Sequence, residues 1–435
     1  MSIEYPVIDS CIELKHHHSR LKKATFPIIN HGLYGNVKEF ESSPFLLPKQ
    51  LSDFTAERNF DDATNLEICP SCFFQTSGTT SRSKRIPYSD ADLERQRHHQ
   101  AEALRRLGMM PEDVVLTMGS PLPSISGWAS VHGSQTLGAT VVNTSFYDYE
   151  QVFRMNRNPD VTVIIGTPIV VKEIGILITK TRGNLKTLFP RLRTGIIFGD
   201  VLPNVLRMEL VNLWGFKNVA TLYGTVEADV IGVECLCRTG SQHLMLERLI
   251  IEAIPEIELL KEYQDKSYTP KPVNILDIEN DIVGEVVITD LMRDILPIVR
   301  YRIGDVVQVS TATCGCNLHG PTVSVLGRTR NTIYLGDVPI YEMQINQALE
   351  RAVGARVSDW RLLGKSPTEK SFDLYLLAPD IEGSTWKEQI FAALQEIRPE
   401  LQHVDLQSAL RMQTVSELDQ VPLKPDAKAQ RICLD

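Results

Sequence analysis

The chain has 435 residues, of which 43% are hydrophobic and 23% are charged. This size and composition provide enough apolar material for a large core and for more than one domain. The net charge of -9, without a sustained basic run, argues against nucleic acid and anionic membrane as partners. The first residues lack a signal-peptide pattern, and no later apolar stretch is long enough to span a bilayer. We therefore expect a soluble, cytoplasmic protein.

Short apolar runs alternate with helical patterns through the first half of the chain. They predict buried strands over residues 114–118, 139–142, 161–165, 195–198 and 219–222. One helix between them is well marked, because Ser89 can cap its N-terminus and Gly108 can end it. The alternation predicts an α/β fold whose strands are buried on both faces.

The character of the sequence changes after Gly327. Residues 372–377 and 410–415 have strand patterns, and residues 386–397 have a helical pattern. A small α+β domain of about 100 residues would hold these three elements. We therefore predict an N-terminal domain over residues 1–327 and a C-terminal domain over residues 328–435.

A loop rich in hydroxyl groups precedes the helix that Ser89 caps. It runs Thr76-Ser77-Gly78-Thr79-Thr80-Ser81-Arg82-Ser83-Lys84. Its backbone N–H groups and hydroxyls can converge on phosphate oxygens, and its two basic side chains add positive charge. It lacks the Gly-Lys-Ser/Thr ending of the loop in P-loop kinases and ATPases, which argues against that class. Taken alone, the segment also fits an ordinary polar surface turn.

Three further segments carry residues suited to nucleotide chemistry. Tyr223-Gly224-Thr225-Val226-Glu227 follows a predicted strand, and the carboxylate of Glu227 suits Mg²⁺. Asp305 follows a glycine in Arg300-Tyr301-Arg302-Ile303-Gly304-Asp305, where it can accept hydrogen bonds from two ribose hydroxyls. Gly327-Arg328 comes next, and Lys428 lies in a polar segment near the end of the sequence.

The order of these motifs resembles the acyl-adenylate-forming superfamily of acyl-CoA ligases, peptide-synthetase adenylation domains and luciferases. The similarity spans roughly residues 73–435. Within the superfamily the chain is most similar to the phenylacetate-CoA ligase branch. The features that carry this closer resemblance are Glu234-Cys235, Cys314-Gly315-Cys316 and Lys428-Ala429-Gln430-Arg431-Ile432. Five motifs in one order are much more specific than any one of them.

The resemblance implies a fold and an activity. The fold would have a large N-terminal domain of layered sheets and helices and a small, mobile α+β C-terminal domain. The activity would be ATP-dependent conversion of a carboxylic acid to its acyl-AMP, with release of pyrophosphate and transfer of the acyl group to a thiol such as CoA. An amine or a carrier protein would be alternative acceptors, and a homodimer stays open.

The resemblance also implies roles for particular residues. Lys428 would be the catalytic lysine, and Glu227 would hold Mg²⁺. The nucleotide would be bound by the loop, the Tyr-Gly motif and the hinge region, at Thr76, Ser77, Gly78, Thr79, Thr80, Lys84, Tyr223, Gly224, Thr225, Asp305 and Arg328. By family position the acid pocket would be lined by Trp128, His132, Phe198, Gly199 and Asp200. Its aromatic side chains favour a flat aromatic acid.

The sequence departs from the family pattern at four positions. Ser81, Ser83, Val226 and Ala427 stand where the family has glycine, proline, serine or threonine, and glycine. Val226 lacks a hydroxyl that could bond to phosphate or metal, which weakens the expectation of tight ATP binding. A nucleotide-binding homologue that has lost activity is therefore an alternative. Lys424 is a rival for the catalytic role.

Two Cys-x-Cys pairs lie far apart in the sequence. We predict a structural Zn²⁺ site formed by Cys235, His243, Cys314 and Cys316, with Cys237 and His319 as alternates. The resemblance supports this prediction, because some members of the phenylacetate-CoA ligase branch carry such a zinc. The alternative is that these cysteines are small buried hydrophobic residues, because Cys-x-Cys is tighter than the usual ligand spacing.

Overall fold

A computed structural model describes most of the chain after residue 39. The described residues are 40, 43–56, 70–76, 84–120, 122–143, 149–235, 237, 239–290, 293, 295–316, 318, 320–378, 381, 385–417 and 431–434. They fall into two compact units. The larger comprises residues up to Leu202, Glu209–Ile303 and Gln308–Ser324, and the smaller comprises Pro203–Met208, Gly304–Val307 and the chain from Val325. Among these described residues, no helix is long and apolar enough to cross a membrane.

The larger unit is built on strands with helices between them. A first hairpin consists of β1, Cys72–Gln75, and β2, Arg85–Tyr88. The remaining strands are β3 Val114–Met118, β4 Thr140–Asn143, β5 Val163–Gly166, β6 Thr194–Phe198, β7 Asn218–Thr225, β8 Asp229–Glu234, β9 Gln242–Leu244, β10 Leu249–Pro255, β11 Val273–Asn274, β12 Ile282–Asp290, β13 Ile298–Ser310 and β14 Thr322–Arg328. The helices are α1 Pro48–Ala56, α2 Asp90–Arg106, α3 Ile125–Leu137, α4 Glu150–Arg154, α5 Pro168–Arg182, α6 Leu185–Leu188, α7 Asn204–Trp214 and α8 Glu256–Gln264.

The strands from β3 to β14 form one mixed sheet, in the order β11-β10-β12-β13-β14-β9-β8-β7-β6-β5-β3-β4. Strands β4, β3, β5, β6 and β7 pair in parallel, whereas β7, β8 and β9 pair antiparallel. The parallel part is almost wholly buried along β3, β5 and β6. This burial explains why its strands are continuous apolar runs rather than alternating patterns.

The predicted helix is α2, and its cap is confirmed. The Ser89 side chain accepts a hydrogen bond from the Asp92 backbone, and the Asp92 side chain accepts one from the Ser89 backbone. This reciprocal pair satisfies two backbone donors that a helix start leaves without partners. Gly108 follows the helix with φ of 82°, a left-handed conformation that glycine adopts readily. Leu104 and Leu107 pack against the sheet strands in a common hydrophobic cluster.

The smaller unit has its own core around a four-stranded sheet in the order β19-β18-β17-β20. Its elements are β15 Ile333–Leu335, β16 Val338–Ile340, α9 Glu342–Val353, β17 Asp359–Gly364, β18 Phe372–Leu377, α10 Thr385–Ile397, α11 Leu406–Ala409, β19 Leu410–Val415 and β20 Ile432–Leu434. Strands β18 and β19 coincide with the predicted strands, and α10 begins one residue before its prediction. The predicted boundary after residue 327 stays a prediction.

Two local predictions are wrong. Tyr223, Gly224 and Thr225 do not follow the strand but form its last residues, because pairing with β8 extends β7 to Thr225. Asp305 does not follow a turn but lies inside the long strand β13. Gly304, at φ of 79°, has a left-handed backbone conformation within that strand. Neighbouring strands, which local patterning does not reveal, decided both cases.

Candidate active site

The predicted phosphate loop connects the two strands of the first hairpin. Its central residues, 77–83, lie outside the described residues, but both ends are described. The Thr76 N–H donates to the Lys84 carbonyl at 3.0 Å, and the Lys84 N–H donates to Thr76 Oγ1 at 3.0 Å. These bonds continue the β1–β2 ladder by one step and close the base of the loop. Lys84 therefore leaves the loop at a fixed backbone position.

The structure brings Lys84 and Glu227 together, although they come from separate sequence motifs. The Lys84 Nζ atom lies 2.5 Å from Glu227 Oε1, and both side chains are largely buried. Tyr301 joins the pair, because its hydroxyl is 2.7 Å from Lys84 Nζ and donates to Glu227 Oε1 at 3.1 Å. This three-residue cluster joins the end of the phosphate loop to the Tyr-Gly motif and to β13.

The charge state of Glu227 follows from this cluster. Burial opposes ionisation of the carboxyl, but the charge and hydrogen bond of Lys84 outweigh burial, so the pKa of Glu227 is lowered. A hydrogen bond from Tyr301 contributes in the same direction. Glu227 is therefore an anion that already holds a cation, the Lys84 ammonium, against one oxygen. A buried, ionised carboxylate of this kind fits Mg²⁺, which takes oxygen ligands.

The glycine of the Tyr-Gly motif is required by the turn that carries Glu227. A side-chain Cβ at Gly224 would lie 2.4 Å from the Asp229 carbonyl oxygen, far inside van der Waals contact. Asp229 itself has a φ of 55°, which is uncommon for a residue other than glycine. The backbone between β7 and β8 thus forms a tight turn against Gly224, and Glu227 lies in the middle of this turn.

Buried charges hold the far side of this turn. Arg248 pairs with Asp229 at 2.8 Å and with the fully buried Asp290, and its guanidinium also bonds to His99 Nδ1 at 3.0 Å. Burial lowers the pKa of His99 and the charge of Arg248 lowers it further, so His99 is neutral at pH 7. Sequence reasoning missed this network, because its members lie outside the motifs and have no distinctive spacing.

Asp305 and Arg328, both in the smaller unit, lie side by side. Arg328 Nε is 2.9 Å from Asp305 Oδ1, and the Asp305 carboxylate is buried whereas the Arg328 side chain is about half exposed, at 47%. The Thr329 hydroxyl donates to the Gly304 carbonyl at 3.3 Å, next to the same aspartate. The structure therefore joins the two predicted ribose-binding motifs within one unit.

Lys428, Lys424 and Ala427 lie outside the described residues, but the residue that follows this segment is anchored. Arg431 pairs with Asp359 at 3.0 Å and with Glu342 at 3.2 Å. Burial opposes ionisation of Asp359, but the charges of Arg431 and Arg361 outweigh it and lower the pKa of Asp359. Strand β20 then pairs in parallel with β17. The predicted catalytic lysine thus lies three residues before a fixed ion-pair anchor.

The predicted acid-pocket residues lie in two places within the larger unit. Trp128 and His132 are one turn apart on α3, with ring centroids 4.4 Å apart, and Trp128 also contacts Phe74 at 5.8 Å. Burial and the nearby Arg97 charge lower the pKa of His132. Phe198 ends β6 and packs against the sheet cluster. Gly199 and the exposed Asp200 follow it, and Asp200 bonds to the next backbone N–H.

The structure brings together the four residues that were predicted as zinc ligands. The ligand atoms of Cys235, His243, Cys314 and Cys316 all lie within 4.8 Å of one another. Cys235 Sγ is 3.3 Å from Cys314 Sγ, and Cys316 Sγ is 3.3 Å from His243 Nε2. Three sulfurs and one imidazole at this separation fit a tetrahedral Zn²⁺ site. The alternate Cys237 is exposed, and His319 lies outside the described residues.

The sheet order explains this convergence. Cys235 follows β8, His243 lies on β9, and the Cys314 and Cys316 pair lies between β13 and β14. Strands β13, β14, β9 and β8 are consecutive neighbours in the sheet. His243 pairs with Val233 on one side and with Thr322 on the other. The two Cys-x-Cys segments are therefore brought to a common site by strand pairing.

Comparison with known proteins bears on the fold and on the resemblance to acyl-adenylate-forming enzymes. Residues 47–252 match the family model described as AMP-binding enzyme. The phenylacetate-coenzyme A ligase of Escherichia coli (strain K12) is 24% identical over 280 residues, which cover 63% of this chain and 59% of that protein. The chain thus matches about three fifths of that relative's length.

Solved structures share the fold over nearly the whole chain. A 2-hydroxyisobutyryl-CoA ligase in complex with 2-HIB-AMP has a TM-score of 0.73 at 15% identity, covering 97% of this chain and 89% of that chain. An acyl acid amido synthetase in complex with 2,4-DB has a TM-score of 0.63 at 14% identity, covering 94% and 86%. The α/β fold class and the resemblance to acyl-adenylate-forming enzymes are confirmed.

Replacing Lys84 with Met tests the buried pair at the centre of the site. Because the pKa of Glu227 is depressed in the folded state, the pair stabilises above the unfolded glutamate pKa of about 4.3. That contribution is lost as the pH falls through the folded value. We expect Lys84→Met to lower the free energy of unfolding by about 2–3 kcal/mol at pH 7.

The measurement is urea unfolding followed by tryptophan fluorescence between pH 3.5 and pH 8. Lys172→Met is the matched control, because Lys172 forms a more exposed pair with Glu209 at 2.6 Å. The control should change the stability by less than about 1 kcal/mol. A Lys84→Met effect that stays constant down to pH 3.5 would contradict the assignment.

Proposed function

We propose that this chain, whose residues 47–252 match the family model described as AMP-binding enzyme, converts a carboxylic acid to its acyl-AMP and then transfers the acyl group to a thiol. The observation that carries the proposal is the buried Lys84–Glu227 pair. It joins two motifs that the resemblance assigns to the same nucleotide, and it lies at the base of a loop suited to phosphate. A merely structural hairpin has no need of a buried cation and anion there.

The resemblance, together with the contacts of the described residues, supports one way of holding the nucleotide. Backbone and hydroxyl groups of the loop that begins at Thr76 would bind the phosphates, with Lys84 adding charge. Glu227 would hold Mg²⁺, which would neutralise phosphate charge when bound. Asp305 would accept hydrogen bonds from the ribose hydroxyls, and Arg328, which already contacts Asp305, would lie beside the ribose. Tyr223, Gly224 and Thr225 would line the same nucleotide site.

The chemistry needs no general base. The substrate carboxylate is already ionised, and one of its oxygens forms a bond to the α-phosphorus as pyrophosphate leaves. Negative charge accumulates on the phosphoryl oxygens during this step. A lysine at that position stabilises the charge electrostatically, which is the role we assign to Lys428. Residues 328–435 would form the mobile domain that delivers it.

The acid and the acceptor are proposed from the aromatic residues of the predicted pocket and from the similar proteins. The paired rings of Trp128 and Phe74 favour an aromatic acid, as does the similarity to phenylacetate-coenzyme A ligases. Phe198, Gly199 and Asp200 would form another wall of the pocket. CoA is the favoured acceptor for the same reason. The fold shared with an acyl acid amido synthetase supports an amine as the second candidate acceptor.

A structural Zn²⁺ is the other component that we propose. Four ligands leave no open position for substrate, so zinc at Cys235, His243, Cys314 and Cys316 would stabilise the fold and take no part in the chemistry. It would tie the connection after β8 to the connection between β13 and β14. Both connections belong to the sheet that also carries Glu227 and Tyr301, so zinc would stabilise the nucleotide site indirectly.

Pyrophosphate exchange into ATP, measured against a panel of aryl acids, tests the activity. We expect exchange that depends on one class of acid, and we expect Lys428→Ala to slow it by about 10²–10³-fold while ATP still binds. Lys424→Ala is the control and should retain most of the activity. If only Lys424→Ala lost pyrophosphate exchange, the catalytic role would belong to Lys424 instead of Lys428. If the protein bound ATP but showed pyrophosphate exchange with no acid, the inactive homologue would be favoured.

Replacing Asp305 with Ala tests the ribose assignment. The substitution removes a buried carboxylate that would accept two hydrogen bonds, so ATP binding should weaken by about 10-fold or more, whereas acid binding should change little. Asp373→Ala is a suitable control, since Asp373 is also a strand residue paired with an arginine, Arg411. Calorimetric titration with ATP measures both. Equal ATP affinity in the Asp305 variant and the wild type would refute the assignment.

Metal analysis tests the zinc site. Protein purified without chelator should contain about one zinc per chain. The double replacement Cys314→Ser with Cys316→Ser should lose the metal and unfold at a lower temperature. Cys237→Ser removes an exposed cysteine outside the cluster and should retain both the zinc and the melting temperature. If wild-type protein contained no zinc, the metal site would be wrong and these cysteines would be small buried hydrophobic residues.

A further inference from the structure

The turn that carries Glu227 is held from one side by a buried tyrosine on β2. The Tyr88 hydroxyl lies 2.7 Å from the Val226 carbonyl oxygen and 2.5 Å from Asp229 Oδ1. These two acceptors lie on either side of Glu227 in the sequence. Tyr88 is fully buried, with no exposed surface. Its one phenolic proton is therefore shared between the two positions that bracket the proposed magnesium ligand.

Packing accounts for the ring of Tyr88 but not for its hydroxyl. The ring meets Phe74 edge to face at 4.9 Å, and the Arg293 guanidinium lies over it at 4.0 Å. A phenylalanine would make both contacts. Burying a hydroxyl costs free energy unless it is hydrogen-bonded, so a polar group retained at this depth needs a partner. Its partners here belong to the turn.

The backbone of the turn requires such support. Asp229 has a left-handed backbone conformation, which costs energy for a residue with a side chain and persists only when its surroundings hold it. Its carboxylate is held by Tyr88 and by Arg248. Arg293 also donates to the Glu227 carbonyl at 3.3 Å and to the Pro87 carbonyl at 2.9 Å, which links the turn to β2 a second time.

One strand thus contacts the turn at two points. Lys84 immediately precedes β2 and binds the Glu227 side chain, whereas Tyr88 ends β2 and binds the backbone and carboxylate on either side of Glu227. The distance between the two contacts is set by an extended strand, which is stiff. The segment from Lys84 to Tyr88 therefore holds the Glu227 side chain at one end and the backbone next to Glu227 at the other.

We propose that Tyr88 is a positioning residue for the adenylation reaction, because its hydroxyl acts through Val226 and Asp229 to hold Glu227 where it binds Mg²⁺ with ATP. The inference rests on the proposed function. The Val226 contact is made by its backbone carbonyl, which a residue of any type would supply. Support from groups behind a metal ligand commonly changes metal affinity or activity 10- to 100-fold.

The test replaces Tyr88 with Phe and compares it with Tyr268→Phe. Tyr268 is the matched control, because its hydroxyl also donates to a carboxylate, Glu258 Oε2, at 2.7 Å. ATP binding is measured by calorimetry without acid, once with Mg²⁺ and once with EDTA. We expect Tyr88→Phe to weaken ATP binding by roughly 10-fold in Mg²⁺ and by less than about 2-fold in EDTA. Tyr268→Phe should match the wild type in both conditions.

Asp229→Asn provides a second variant if Tyr88→Phe does not fold. Asparagine tolerates the left-handed conformation and has the same size, but it removes the charge that Tyr88 and Arg248 share. This variant should also bind ATP more weakly in Mg²⁺ and bind it about as well as the wild type in EDTA. Wild-type ATP affinity that is independent of Mg²⁺ would overturn the proposed role of Glu227 and this inference with it. Mg²⁺-dependent binding in the wild type, with Tyr88→Phe or Asp229→Asn equal to Tyr268→Phe, would overturn the inference alone.

Discussion

The arrangement of the site depends on one buried ion pair, Lys84 with Glu227, and on the tyrosine hydroxyl that contacts both. A carboxylate buried without a cation would be protonated or would destabilise the fold. An ammonium buried without an anion would lose its proton or would destabilise the fold in the same way. Each charge therefore requires the other, and together they require β2, the β7–β8 turn and β13 to meet. The turn can meet them only because Gly224 has no side chain and Asp229 adopts a left-handed backbone.

The same pair determines the charge state of the site. A cation already neutralises Glu227, so the carboxylate remains ionised at the pH of the cell. The anion in turn holds the Lys84 ammonium, at the end of the predicted phosphate loop. Tyr88, Arg248 and Arg293 extend the network into the interior, where the Glu227 turn is held from behind.

The cysteine and histidine cluster is a second consequence of the sheet. Its four members come from the connection after β8, from β9 and from the connection between β13 and β14. Cys235 and His243 are therefore far in sequence from Cys314 and Cys316. Antiparallel pairing of β9 with β8 and with β14 puts His243 between the two cysteine segments. A metal at this position would stabilise strands next to the turn that carries Glu227, since β7 and β8 are neighbours in the same sheet.

The sequence alone determined the features that depend on nearby residues. Continuous apolar runs identified β3 to β7 approximately, the capping box at Ser89 identified the start of α2, and strand-like patterns identified β18 and β19. Motif order predicted the resemblance to acyl-adenylate-forming enzymes, whereas the roles of the site residues stay predictions. Each of these signals arises within a few residues, where backbone preference and burial on one face are set locally.

Only the tertiary structure decided which of those residues meet. Lys84 and Tyr301 are 217 positions apart, and no local pattern relates them. The extension of β7 through the Tyr-Gly motif, the place of Asp305 inside β13, and the contacts of Tyr88 and Arg248 all depend on strand order. Hydrogen bonds and ion pairs between distant segments form only after the sheet has set their separation. For that reason the residues that support Glu227 could not be read from the sequence.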